Sequence, residues 1–304
     1  MPHGPHSRIP TDNPRDQLLA RVLDALWDHY RERVSFVRQY EDVIAAHGAT
    51  FVNDHIAFRT LAGQQPLTGI VAVSRPFEAL GYVPAGCYQF PDKHLSAIHF
   101  QHPNGLFPKL FISELQAWKL SENSRRILAR HLAQHGPMVS DDVLVRLHQG
   151  IEPESMIPAV VDSIHILPWD APSQAELHAI GQESQYAAWV LVHGYNVNHF
   201  TALINSHGVP ELNDVDRTVK ALRAAGIPMK TEIEGAPGSK LRQTATEAVV
   251  IDVSVRDGRI PWSYAYFELA ERGDVIDPDT GRRSRFEGFL GPQATQLFDM
   301  TRVR

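Results

Sequence analysis

Read for the alternation of apolar and polar residues, the chain separates into short strand-like runs and longer helical ones. Asn53-Asp54-His55-Ile56-Ala57-Phe58-Arg59 and Val197-Asn198-His199-Phe200-Thr201-Ala202-Leu203 each place an Asp or Asn before a histidine and then an apolar run of strand-favouring residues. The elements after these two segments also correspond. After the first, Arg75 to Leu80 reads as a short helix stopped at Gly81, Tyr82 to Phe90 as a strand interrupted by Pro84 and Gly86, and His94 to His102 and Lys109 to Leu115 as two further strands. After the second, Asn213 to Ala225 is an amphipathic helix ended by Gly226-Ile227-Pro228. Strands are then expected at Lys240 to Thr246, Ala248 to Val255 and Ser263 to Ala270.

The order strand, helix, strand, strand, strand therefore occurs twice. Residues 14 to 47, Ser121 to Gln134, Asp141 to Gln149 and Ser173 to His193 have helical spacing and lie before and between the copies. The expectation is an α+β protein of two βαβββ modules that form a half-open barrel around a shared cavity. The expected divisions are a mobile terminus at 1–14, N-terminal helices at 15–50, a first module at 51–120, a helical insertion at 121–194, and a second module with the C-terminal segment at 195–304.

Strand alternation directs His55, Ala57 and Arg59 to one face and Ile56 and Phe58 to the other. The apolar pair belongs against helices, so His55 and Arg59 point inward; by the same count His199 shares a face with Thr201 and Leu203. One inward histidine per module is what a metal at a pseudo-twofold centre requires. Glu268 is the one carboxylate in the run Ser263 to Ala270 and supplies a third ligand, since burying it without a cation would be costly. Glu114, in the corresponding strand of the first module, is the rival.

Composition narrows the chemistry. Of 304 residues, sixteen are histidine and one, Cys87, is cysteine, so a metal site here would use imidazole and carboxylate; this points to iron, manganese or catalytic zinc. Cys87 is expected to be a packed residue. A net charge of -6 with no Lys/Arg run speaks against nucleic acid. No apolar stretch approaches the roughly 20 residues of a membrane span, and the N-terminal residues carry no apolar leader, so the expected location is cytoplasmic, without a membrane partner. The sequence carries no signal of oligomeric state. His99 and His102 face opposite ways and are read as non-ligands, and His131, His135 and His148 as a polar helix face. His3 and His6 fall on the mobile terminus, and Lys93 on a turn. Neither a phosphate-binding glycine loop nor a nucleophile elbow is present.

The paired modules resemble the vicinal oxygen chelate superfamily. More closely, Asp54-His55-Ile56-Ala57-Phe58-Arg59, Tyr88-Gln89-Phe90-Pro91-Asp92-Lys93-His94-Leu95, Phe111-Ile112-Ser113-Glu114-Leu115, Val197-Asn198-His199-Phe200-Thr201, Tyr266-Phe267-Glu268 and Gly288-Phe289-Leu290 are similar to the 2-oxoadipate dioxygenase/decarboxylase family. The matching stretches spread over roughly residues 15 to 302. The resemblance implies Fe(II) held by His55, His199 and Glu268, with a 2-oxo acid and O2 as small-molecule partners. It also implies conversion of 2-oxoadipate to 2-hydroxyglutarate and CO2, with Arg59 as the substrate-binding and catalytic residue. A planar guanidinium pairs bidentately with a carboxylate and so suits a dicarboxylic acid. Gln243 is a further substrate-binding candidate, and so is Gln293 in Gly291-Pro292-Gln293-Ala294. That segment departs from the small and β-branched residues of the best-known members, so the particular 2-oxo acid stays open. A glyoxalase-like isomerase, an extradiol dioxygenase and a non-catalytic ligand-binding module are the alternatives.

Overall fold

The computed structural model describes residues 4–63, 66–151 and 155–290. Two helices come first, α1 (Pro14–Arg33) and α2 (Ser35–Ala46). The first module then runs β1 (Asn53–Ala62), α3 (Ile70–Ala79), β2 (Val83–Phe90), β3 (Leu95–Gln101) and β4 (Lys109–Gln116). Five helices follow: α4 (Glu122–Leu132), α5 (Asp141–Gln149), α6 (Met156–His165), α7 (Gln174–Glu183) and α8 (Gln185–His193). The second module contains β5 (Val197–Leu203), α9 (Val215–Ala224), β6 (Leu241–Ala245), β7 (Val250–Val255), β8 (Gly258–Ser263) and β9 (Glu268–Arg272), and a hairpin of β10 (Asp274–Ile276) and β11 (Arg283–Arg285) comes after it.

The helices start where local chemistry lets them. Asn13 accepts from the backbone of Arg15 ahead of Pro14 at α1, Ser140 caps α5, Ser173 and Glu176 form a capping box on α7, and Asp214 caps α9. Three helical expectations need correcting. Helix α3 begins at Ile70 rather than Arg75, because Glu114 accepts from the Ile70 amide at its first turn. The expected helix Ser173 to His193 is two helices, since Ser184 leaves the helical conformation (φ -145°, ψ 103°) to cap α8. Helix α6 was not expected from the sequence.

Seven strands form one curved sheet in the order β2-β3-β4-β1-β5-β9-β6. At its centre β1 runs antiparallel to β5, while β4 lies parallel to β1 and β9 parallel to β5. Ile56 is opposite Phe200, and these two positions are equivalent in the internal repeat, so the pair marks the pseudo-twofold axis. The second module completes its four places differently from the sequence reading. The 229–234 segment bridges to β6 through Met229–Thr246 and Glu234–Gln243 and takes the place that β2 has in the first module. The expected strand Ala248 to Val255 instead pairs with β8 in a separate hairpin, and Ser263 to Ala270 is broken by the non-strand residues 264–267.

Apolar burial sets the orientation of the sheet. Ile56, Phe58 and Phe200 are fully buried on the convex side, where Phe200 packs against Trp27 of α1 and Phe58 against Phe77 of α3. Each such side chain contributes about 1.5–3 kcal/mol relative to exposure. The concave side carries the buried polar residues His55, Arg59, His199 and Glu268 among apolar ones such as Ala57 and Phe111. Helix α8 closes one end of it: Tyr186 bonds to Ser113 Oγ (2.8 Å) and to the Thr60 amide (3.1 Å). On the same side, residues 286–289 bridge Arg272 of β9 to Gln101 and Tyr88 of the first module and bring Phe289 to the cavity.

Candidate metal centre

His55, His199 and Glu268 converge. One potential ligand atom from each lies within 4.8 Å of the others, and the three are 2%, 5% and 0% exposed. His55 Nε2 is 3.3 Å from Glu268 Oε1, and His199 Nε2 is 3.4 Å from Oε2. Neither carboxylate oxygen has a properly directed hydrogen-bond partner, which is an expensive arrangement for a fully buried group unless a cation shares it. Two imidazoles and a carboxylate on a concave wall fit a first-row divalent ion and leave part of its coordination sphere open.

The other ring nitrogens are held. His55 Nδ1 donates to Asp54 (2.8 Å) and His199 Nδ1 to the Asn198 side-chain oxygen (3.0 Å), so both Nε2 atoms face the centre. Simple strand alternation would send Asp54 and Asn198 to the opposite face. Both lie instead where the β1–β5 register shifts, Asp54 as the extra residue of β1 and Asn198 as the extra residue of β5. Such bulges re-aim side chains, and here they put consecutive residues within reach of each other. Asp54 is further clamped by Arg272, with Nε to Oδ1 at 2.5 Å and Nη2 to Oδ2 at 2.8 Å.

This arrangement fixes the charges. Burial opposes ionisation of Asp54, yet the Arg272 guanidinium and the His55 hydrogen bond hold it well below the usual carboxylate range. Burial also disfavours charge on His55, but Asp54 and Glu268 together raise its pKa above the ordinary value. His199 is pushed well down by burial, with His55 and Arg59 adding to the effect, and is neutral. Burial raises Glu268.

Beside the three lies a small cavity of about 30 Å³, lined by both histidines together with Ala57, Arg59, Phe111, Ser113, Tyr266 and Phe289. The Arg59 guanidinium sits 5.3 Å from the ring centres of both Tyr186 and Trp189 of α8, and it engages the Tyr266 hydroxyl. Gln243 is buried on the same face and donates to Glu234 at 3.5 Å. Burial and then the nearby Glu268 push Glu234 up to about 8. Gln293 lies outside the described residues.

Several expectations change here. In the strand register Thr201 pairs with Glu268 and its repeat equivalent Ala57 pairs with Phe111, so Phe111, not Glu114, occupies the position corresponding to Glu268. Cys87 is exposed rather than packed. His6 is buried and bonded to Asp24 at 2.8 Å instead of belonging to a loose terminus. His131 and His135 are buried, not part of a solvated helix face. His99 is no ligand: Tyr88 and Gln101 hold its nitrogens at 2.9 and 3.2 Å. Asp54, Arg272, Tyr266, Glu234 and Phe289 escaped the sequence reading as site residues. The acidic or amide residue preceding each repeated histidine was the one visible sign of the first.

A half-barrel of duplicated βαβββ modules is the fold of the vicinal-oxygen-chelate superfamily, and here it holds a buried His–His–Glu group. In agreement, the chain superposes on a glyoxalase-superfamily protein from Ralstonia eutropha JMP134 with a TM-score of 0.78 at 22% identity, covering 92% of this chain and 89% of that one. The sequence matches the 2-oxoadipate dioxygenase/decarboxylase family over residues 22–298, and the chain belongs to that family. A relative from Oryza sativa subsp. japonica, a chloroplastic/amyloplastic 2-oxoadipate dioxygenase/decarboxylase, is 28% identical over 324 residues, covering 99% of this chain and 82% of the relative. The structure of the hydroxyglutarate synthase from Oryza sativa in complex with 2-oxoadipate aligns with a TM-score of 0.79 and 25% identity over 96% of this chain and 94% of that one. Among the described residues no helix is long and apolar enough to cross a membrane.

Proposed function

We propose that this chain is a non-haem Fe(II) dioxygenase that decarboxylates and hydroxylates a 2-oxo dicarboxylic acid, with 2-oxoadipate as substrate and 2-hydroxyglutarate and CO2 as products. The observation that carries this reading is the convergence of His55, His199 and Glu268 next to a cavity that both histidines and Arg59 line, in a member of this family. His55, His199 and Glu268 would hold the iron. When bound, Fe(II) supplies open positions at which a 2-oxo acid chelates and O2 is activated.

The protein's own part is positioning. Asp54 and Asn198 hold the two imidazoles with Nε2 aimed inward. Arg59 lies four residues beyond His55 on the same strand, about 13 Å along the backbone. Its guanidinium, braced between Tyr186 and Trp189, would take one carboxylate of the substrate, with the Tyr266 hydroxyl beside it offering a further hydrogen bond. Helix α8 lies behind Arg59, and the Phe289 ring lies edge-on to His55.

The test is anaerobic reconstitution with Fe(II) followed by O2 and 2-oxoadipate, reading O2 uptake, CO2 release and 2-hydroxyglutarate. The expected stoichiometry is one of each, and His199→Ala should abolish all three. Turnover by the metal-free protein, or unchanged turnover after His199→Ala, would refute the proposal.

A further inference from the structure

Arg272 joins two parts of the structure that neither the sequence nor the proposed chemistry connects. Its side chain is fully buried at the end of β9. Two of its nitrogens grip the Asp54 carboxylate, which in turn holds His55 Nδ1. The third, Nη1, donates to the main-chain carbonyls of Phe286 (3.0 Å) and Gly288 (2.8 Å). Four of its five N–H donors are thereby given to one metal-ligand brace and one segment of the C-terminal chain.

That segment places Phe289 in the cavity lining and is anchored on its other side by the first module. Lys109 pairs with Glu287 at 2.5 Å, Gln101 donates to the Glu287 carbonyl at 3.2 Å, and the Phe289 amide donates to the Tyr88 hydroxyl at 3.2 Å. The Phe289 ring then lies edge-on to His55, with centres 4.9 Å apart, and 5.3 Å from the Arg272 guanidinium carbon. Seen from His55, the strap touches one side of the ring while Asp54, held by the strap's own anchor, fixes the other.

We infer that Arg272 is a positioning residue that couples closure of the 286–289 strap to the orientation of His55, through its simultaneous hold on Asp54 and on the strap carbonyls. A guanidinium serves two acceptors on each of two partners only in one orientation, so displacing either partner loosens its grip on the other. The strap therefore closes most firmly when His55 is fixed in place. Conversely, the ligand is best oriented when the strap is down. This inference rests on the metal-binding reading of the site.

The experiment uses the full chain with Mn(II) as the probe. Metal affinity is measured by calorimetry, and strap accessibility by chymotrypsin cleavage at Phe286 and Phe289 and trypsin cleavage at Arg285. In the wild type, saturating Mn(II) should slow cleavage within the strap, a comparison that needs no variant. Asp54→Asn, nearly isosteric, should weaken Mn(II) binding about 10–100-fold, the range for losing such a brace, and should also speed strap cleavage although it touches no strap residue. Arg272→Lys, which keeps the charge but not the fork, should show both effects more mildly; circular dichroism of each variant reports folding. If the wild type binds Mn(II) in a Glu268-dependent manner but strap cleavage is the same with and without metal, the coupling is overturned and the metal site stands. If the wild type binds no Mn(II), the metal reading falls and the coupling with it.

Discussion

Replacing Glu268 by glutamine preserves volume and removes one charge from a carboxylate with no exposed surface. In the metal-free protein the loss is small. His55 is raised in part by Glu268, so once that carboxylate is gone it can release its proton rather than be stranded as a buried ion, and the roughly 3–5 kcal/mol cost of breaking a buried pair is avoided. A change of about 1 kcal/mol, the scale of one net hydrogen bond, is expected. With metal the two proteins part. At 1,000 times its dissociation constant a divalent ion stabilises the wild type by about 4.1 kcal/mol, which at roughly 2 °C per kcal/mol raises the melting temperature by about 8 °C. Glu268→Gln should gain less than about 1 °C under the same conditions. The assay is differential scanning fluorimetry with and without Mn(II) or Fe(II), paired with metal analysis of the desalted protein. An equal metal-dependent shift at one ion per chain in both proteins would show that Glu268 is not a ligand, and the reasoning from its unpartnered oxygens would fail.

Arg59→Lys should lower kcat/KM for 2-oxoadipate about 10- to 100-fold, mostly through KM, since one charge-assisted hydrogen bond of about 1.5–3 kcal/mol is lost; steady-state kinetics on the iron-loaded enzyme decide it, and an unchanged KM would remove Arg59 from the substrate. Glu114→Ala should cost about 0.5–2 kcal/mol in urea unfolding through the lost cap on α3, with metal content unchanged, and a fall in bound metal would contradict the register that excludes Glu114. Glu234, raised to about 8 when folded, holds a proton between about pH 4.5 and 8 that the unfolded chain has released, so its contribution to stability is present at low pH and lost as pH rises towards 8. The urea midpoint of metal-free Glu234→Gln relative to wild type should therefore climb from pH 5 to pH 8, and a constant difference would show that Glu234 titrates normally.

The legibility of each feature depended on whether the forces behind it are local. The duplicated Asx–His segments fixed β1, β5 and the two inward histidines, because period-two burial is written directly into neighbouring residues. Glu268 was legible as a lone carboxylate in an uncharged run. Asp54 and Asn198 were not, because a bulge suspends the alternation on which the reading depended. The choice between Phe111 and Glu114 turned on parallel register, a long-range property absent from either strand alone. The same limit misplaced β7: its own residues favour a strand, but the partner it selects, β8 or the main sheet, depends on the space left by the 229–234 segment. His6, His131 and His135 went astray for a related reason, since a histidine's burial is decided by the surface that packs over it.

The substitution of Phe111 at the rung corresponding to Glu268 reaches beyond strand matching. With a carboxylate at both rungs, two carboxylates and two imidazoles would meet at the centre, and an octahedral ion there would have about two positions left, enough for a chelating keto acid but none for O2 beside it. By offering a benzene ring where its twin offers an oxygen, the first half gives up a ligand and leaves coordination space beside an apolar wall. In the proposed enzyme the capacity to receive a substrate would thus arise from a difference between the two halves: both supply an imidazole, and only the second adds a carboxylate.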